Sequence, residues 1–150
     1  MTCLGNVGNF VNQYQANAQI LANSLGNGVT AAEVLAVAGN ESTYGTSKKT
    51  SFGNFFGLHG HGPAGTYYTT GNQTPMMMFP VQNGFMASGQ TFVNLVGSYM
   101  TPGIGKNPLA FFTVLNHHGY ATGNSGYPSF MVGTNPRGPY TLVSACMAGY

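Results

Sequence analysis

The chain contains no aspartate and no tryptophan, and Glu33 and Glu41 are its only acidic residues. With four Lys and Arg, charged residues make up 4% of the 150, against ~25% in ordinary soluble domains. Phosphate neutralisation by clustered cations carries most nucleic-acid affinity. Lys48-Lys49 is the only cationic cluster here, so no nucleic-acid partner is expected. No run of ~18 apolar residues exists to span a bilayer, and no membrane insertion is expected. The first residues carry no Lys or Arg, and Asn, Gln and Gly interrupt their apolar stretches, unlike a secretory signal of the usual form. Cysteine is limited to Cys3 and Cys146 at opposite ends of the chain. They are either a disulfide tying the two terminal segments or a pair of buried thiols, since free Cys often serves as a small hydrophobe.

What is present describes a folded polar-surfaced protein. Hydrophobic residues make up 43% and aromatics 13%, too many for disorder. A chain of this length buries about two thirds of its unfolded surface, enough for one core. No repeat, linker or charge run divides it, so residues 1–150 read as a single domain. With charge so scarce, the surface must be built from Asn, Gln, Ser, Thr, Gly and Tyr. That composition suits polysaccharide, whose hydroxyls need neutral hydrogen-bonding partners and whose ring faces stack on aromatic side chains.

The periodicity predicts a mainly α (α+β) fold. Val7, Phe10, Val11, Tyr14, Ala18, Leu21 and Leu25 recur every three or four residues, a helical stripe stopped by Gly26-Asn27-Gly28. Thr30-x-x-Glu33 has capping-box spacing, so a second helix is expected from Thr30 to about Tyr44, with Glu33 in a structural role. Residues 45–65 read as Gly- and Ser-rich loop. Tyr67–Thr70 and Met76–Val81 read as a short hairpin. Further helices are expected over Gly84–Met100, over Pro108–Asn116 with Asn107 as N-cap, and over Pro139–Ala148.

Glu41 is the main chemical candidate. It follows the apolar run Val34 to Ala38, in Gly39-Asn40-Glu41-Ser42-Thr43-Tyr44-Gly45. A carboxyl against apolar surface, with few cations to pair with, has its pKa raised by desolvation. That suits a general acid at near-neutral pH; the plain alternative is an exposed Glu at a helix end. The next segment is Ser51-Phe52-Gly53-Asn54-Phe55-Phe56-Gly57-Leu58-His59-Gly60, and Gly119-Tyr120-Ala121-Thr122 with Tyr127 follows later. A helix ending in Glu-Ser-x-x-Gly, then Asn-x-Phe-Gly-x-x-Gly, then Gly-Tyr-Ala-Thr with a downstream Tyr, resembles the peptidoglycan-cleaving glucosaminidases of glycoside hydrolase family 73. The likeness runs from about Ala31 to Met131. It implies a lysozyme-like helical domain with a short β-hairpin beside an active-site groove, and peptidoglycan glycan strands as substrate. It also implies Glu41 as the acid and Tyr120 facing it. Hydrolases of this type work outside the cytoplasm, where disulfides persist, which favours pairing of Cys3 with Cys146.

The sequence departs from the family where a second acid is often placed. Glycosidases usually pair two carboxylates about 5 to 9.5 Å apart, but Thr66 to Val81 contains none. Glu33 lies eight helical residues before Glu41, about 12 Å along the axis and about 80° around it, a poor second acid. The developing cation must then be trapped by the substrate's own N-acetyl carbonyl or by a water held near Gln73, Thr74 or Tyr120. Asn54, Phe56, His59, His61, Gln73 and Tyr127 are the candidate substrate contacts. Phe56 reads equally as core, and Asn54 as a bond to loop backbone. His59, His61, His117 and His118 could converge on a metal, but no acidic residue is placed to orient them, so neither a metal nor a cofactor is expected. The reading is an endo-β-N-acetylglucosaminidase cutting after N-acetylglucosamine. The alternatives are a muramidase or lytic transglycosylase on the same fold, or a non-catalytic wall-binding or phage-tail module. Export without a signal peptide, as by a type VI secretion machine, would make it an antibacterial toxin acting in the periplasm or wall of a target cell, with a periplasmic immunity protein as partner.

Overall fold

The structure, a computed structural model, describes Cys3 and residues 5–148. Helix α1, Gly5–Leu25, buries Phe10, Val11, Ala18, Leu21, Ala22 and Leu25 on one face and stops at Gly26, whose positive φ of 61° ends a helix without strain. Helix α2, Ala31–Ser42, begins with the full capping box. The Thr30 hydroxyl accepts the Glu33 amide at 3.2 Å, and Glu33 Oε1 accepts the Thr30 amide at 2.9 Å and the Thr30 hydroxyl at 3.1 Å. Val34 to Gly39 are all buried, because α2 is the central helix, packed by α1 and by α6, Pro139–Met147. It ends at Ser42 rather than near Tyr44. Thr43 turns left-handed (φ 51°) and its N–H bonds the Gly39 carbonyl, which closes the last turn.

A 3-10 turn at Lys48–Phe52 leads to the hairpin, whose strands β1 (Thr66–Tyr68) and β2 (Pro75–Met77) pair Thr66 with Met77, Tyr67 with Met76 and Tyr68 with Pro75. The strands are shorter than their patterns suggest. Beyond Met77 the backbone turns to other partners, Met78 N–H to the Gly65 carbonyl at 3.0 Å and Phe79 N–H to the Phe52 carbonyl at 2.8 Å. His59 forms a bridge with Met76, so the hairpin is tied to the loop after Phe56.

Helix α3, Gly84–Val96, tightens into a 3-10 turn at Gly97–Tyr99 instead of running to Met100. Helix α4, Pro108–His117, starts as its sequence indicates, with Asn107 Oδ1 accepting the Ala110 amide at 3.1 Å and Pro108 in the first turn. A short helix α5, Tyr127–Met131, was not legible in the periodicity, and it packs on α4. One apolar cluster joins all six helices around Phe56, Phe92, Phe111, Phe112, Leu21, Leu35 and Met131. Each such side chain fully buried contributes roughly 1.5–3 kcal/mol. Cys3 and Cys146 form a disulfide that ties the chain before α1 to α6. The fold is mainly α with a two-stranded antiparallel sheet. Among the described residues, no helix is long and apolar enough to cross a membrane.

Candidate functional site

Glu41 occupies the last turn of α2, where the helix leaves the core. Its neighbour Ser42 is buried and donates to the Ala38 carbonyl at 2.6 Å while accepting the Gly45 amide at 3.0 Å, which fixes the exit of the chain. The Glu41 side chain keeps 19% of its surface exposed. A Cβ at Gly57 would collide with Glu41 Oε1, so glycine is what lets the loop lie against the carboxyl, and its φ of 64° suits that residue too. Lys49, from the 3-10 turn, donates to the Glu41 backbone carbonyl at 2.9 Å and holds its ammonium 3.6 Å from Oε1. Burial lifts the Glu41 carboxyl above its ordinary pKa, and the charge and hydrogen bond of Lys49 pull partway back.

The segment after α4 forms the opposite wall. Asn116 Nδ2 donates to the carbonyls of Tyr120 at 2.8 Å and of Ala121 and Asn124 at 3.2 Å, gathering this Gly-rich stretch. Tyr120 passes its hydroxyl inward and donates to the Phe56 carbonyl at 2.8 Å, linking this wall to the Asn54 to Leu58 loop. Burial first, then the nearby Glu41 and Tyr127, push the Tyr120 phenol well above its usual pKa. Tyr127 is shifted upward in the same way, by burial and then by Glu41, and its buried hydroxyl has no partner among the described residues. Both phenols stay neutral at any physiological pH.

These pieces enclose a cleft of about 690 Å³, within the range of ligand sites. It is lined by Glu41, Gly57, Leu58 and His59 on one side and by Leu95, Val96, Tyr99 and His118 to Thr122 on the other. Glu41 is the single carboxyl on it, and it carries no Lys or Arg. Tyr99 and His118 stack with ring centroids 3.7 Å apart and planes 8° from parallel, an aromatic shelf at the cleft wall.

Of the residues singled out from sequence, the structure brings Glu41, Tyr120 and His59 onto the cleft. Tyr127 lies behind them, buried. The other four sit elsewhere. Asn54 is fully buried and spends its side chain on backbone, donating to the carbonyls of Leu58 (2.9 Å) and Met77 (3.0 Å) and accepting the Leu58 amide (3.1 Å). It therefore shapes the loop that carries Gly57 and is closed to substrate. Phe56 is fully buried and stacked on Phe92, a core side chain. His61 pairs with the Thr66 hydroxyl at 2.7 Å on the exposed side of the hairpin. Gln73 is exposed in the turn between the strands, in a left-handed conformation. Glu33 is fully buried in its cap, away from the cleft. Among the described residues no group of three or more His, Cys, Asp or Glu gathers as a metal site. Sequence reasoning gave no role to Lys49, Leu95 or Tyr99, read Gly57 only as part of a motif, and weighed His118 only as a metal ligand. Lys49 left one usable signal, as one of so few cations and only eight residues from the acid.

Neither a family profile nor a curated protein sequence matches the chain. Two solved structures share its fold. A chain of the type VI secretion system effector–immunity complex from Pseudomonas protegens superposes with a TM-score of 0.74 at 25% identity, covering 95% of this chain and 92% of that one. The catalytic domain of the autolysin Auto from Listeria monocytogenes superposes with a TM-score of 0.63 at 18% identity, covering 96% and 86% respectively.

Proposed function

We propose that the protein is a glycosidase of the peptidoglycan glycan strand, cutting after N-acetylglucosamine, with Glu41 as its general acid. The observation that carries the reading is the cleft itself. A single carboxyl with a raised pKa stands in a groove otherwise lined by uncharged and aromatic side chains, which is the surface a neutral sugar needs. Glu41 gives its proton to the bridging oxygen, and the C1–O bond breaks with its electron pair going to the leaving sugar. No second carboxyl lines the cleft to trap the cation, Gln73 and Thr74 lie off it, and Tyr120 commits its hydroxyl proton to the Phe56 carbonyl rather than to a water. The acetamido oxygen of the cleaved sugar therefore attacks C1, the substrate-assisted exception to two-acid catalysis. Water then adds to C1 of the resulting oxazolinium, the acetamido oxygen leaves with its electron pair, and the water's proton goes to the Glu41 carboxylate.

The lone carboxyl also favours a second reading, a muramidase or lytic transglycosylase on the same scaffold, because a single acid also serves an anhydro-forming cleavage, in which the sugar's own hydroxyl takes the place of the water a muramidase uses. The likeness to an effector–immunity complex supports delivery by a secretion machine into the wall of a target cell, and a periplasmic immunity protein as partner. The Cys3–Cys146 disulfide supports work in an oxidising compartment. Mass spectrometry of digested cell wall separates the chemistries: a reducing N-acetylglucosamine end is expected, while a reducing N-acetylmuramic end, an anhydro end, or no cut would each replace this reading. Changing Glu41 to Gln keeps the shape and removes the proton, so lysis should fall at least ~10²-fold with folding intact. A variant that keeps most of its activity would end the acid assignment.

A further inference from the structure

Lys49 belongs to none of the sequence motifs, yet its ammonium is fixed on the acid's own residue. Its Nζ donates to the Glu41 carbonyl at 2.9 Å and stands 3.6 Å from Glu41 Oε1, with 32% of the side chain exposed. We propose that Lys49 is a positioning residue for the acid: anchored on the Glu41 backbone, its charge sets how readily the carboxyl gives up its proton and neutralises the carboxylate left behind. The inference rests on the reading of Glu41 as general acid.

The physical need for such a cation follows from where Glu41 sits. The last carbonyls of a helix carry partial negative charge, so a carboxylate in the final turn of α2 is disfavoured. Desolvation disfavours it further. The groups facing it from other elements offer little help: Tyr120 and Tyr127 are neutral phenols, and His59 and His118 are exposed on the cleft walls. A carboxyl left so placed would hold its proton too tightly, and a general acid works best when its pKa lies near the working pH. An ammonium at 3.6 Å opposes both effects, and because it is anchored on backbone its position does not depend on the state of the carboxyl.

The chain's own scarcity of acids makes the test direct. With glutamate labelled at the δ-carbon, only Glu33 and Glu41 give side-chain carboxyl signals, and each is titrated by carbon NMR without any need for activity. Lys49→Gln keeps a donor for the backbone carbonyl and removes the charge, whereas Lys49→Arg keeps the charge. In Lys49→Gln the Glu41 midpoint should rise by about one pH unit, and the alkaline limb of the wall-lysis profile should move up with it. Lys49→Arg should restore both. Cooperative urea unfolding at the parent's midpoint certifies that each variant is folded. An unmoved Glu41 midpoint in folded Lys49→Gln overturns the proposal. So does a steep fall of the urea midpoint in both variants, because Lys49 then supports the fold rather than the acid. If the midpoint moves as expected while Glu41→Gln still lyses wall, the coupling is real and it is the acid assignment that fails.

Discussion

At the scale of single residues, the site depends as much on what is missing as on what is present. Gly57 has room for no side chain because Glu41 Oε1 fills the space a Cβ would take, and its φ of 64° adds a second cost for any L residue. Gly26 has nearly the same φ, 61°, but open space where its Cβ would go. Alanine at either position should cost about 1–2 kcal/mol from the backbone conformation alone. Only Gly57→Ala should also displace the carboxyl, with lysis falling at least ~10-fold while Gly26→Ala keeps it, since small misplacements of a catalytic group are expensive. Urea unfolding and a wall-lysis assay on both variants check this. Equal activities would mean either that the carboxyl does not rest against Gly57 or that Glu41 is not the acid proposed. The sequence shows Glu41 as a rare acid and Gly57 as part of a motif, but the contact between them joins positions 16 residues apart through a loop whose path only the fold defines.

At the scale of elements, local signals were legible and partnerships were not. The start of α2 could be read because Thr30 and Glu33 satisfy each other within one turn, and that of α4 because Asn107 and Pro108 do the same work locally. Helix α5 leaves no trace in the sequence pattern because five residues with a proline in the first turn carry no period. His61 and Gln73 are candidate substrate contacts in the sequence, whereas His61 bonds Thr66 on the exposed side of the hairpin and Gln73 stands out in its turn. The capping box also makes a pH prediction. Glu33 is fully buried with Oε2 unpartnered, and desolvation raises its pKa from 4.5 to about 7 against the opposing bonds from Thr30. A folded-state pKa above the unfolded one gives stability that is complete below pH ~4.5 and is lost as pH rises through ~7. The loss should be on the order of 3 kcal/mol. Glu41, also raised, adds a loss of the same sign. Glu33→Gln keeps an acceptor for the cap and has no proton to lose, so its urea midpoint should fall less between pH 4.5 and 8 and should exceed the parent's at pH 8. A parent whose stability rises over that interval would show that Glu33 is ionised in the fold.

At the scale of the whole molecule, the chain is held by one apolar cluster and one covalent tie, with almost no charge to help. Two acids and four Lys and Arg leave the Lys49–Glu41 contact as the one ion pair among the described residues, and it serves the cleft. The fold class was legible because it follows from periodicity that repeats along the chain. The cleft was half legible, since Glu41 and Tyr120 belong to recognisable motifs while Leu95, Tyr99 and His118 reach it only through the packing of α3 and α4. The disulfide joins residues 143 apart in sequence, so it closes nearly the whole chain into a loop. In the chain-entropy account, removing it frees the unfolded ensemble by about 5 kcal/mol, less any strain it relieves in the fold. That is a large share of the 5–15 kcal/mol typical of domains. Replacing Cys3 and Cys146 together by Ser should therefore lower the urea midpoint steeply. Reducing agent should destabilise the parent to a similar extent and leave the double variant unchanged. Since the cleft lies between the end of α2, the Gly57 loop and the segment after α4, and includes neither cysteine, the variant should still lyse wall at temperatures where it remains folded. Full activity with unchanged stability would mean that the α1 and α6 packing closes the chain without the bond. Lost activity in a folded variant would mean that the terminal tie governs the shape of the cleft.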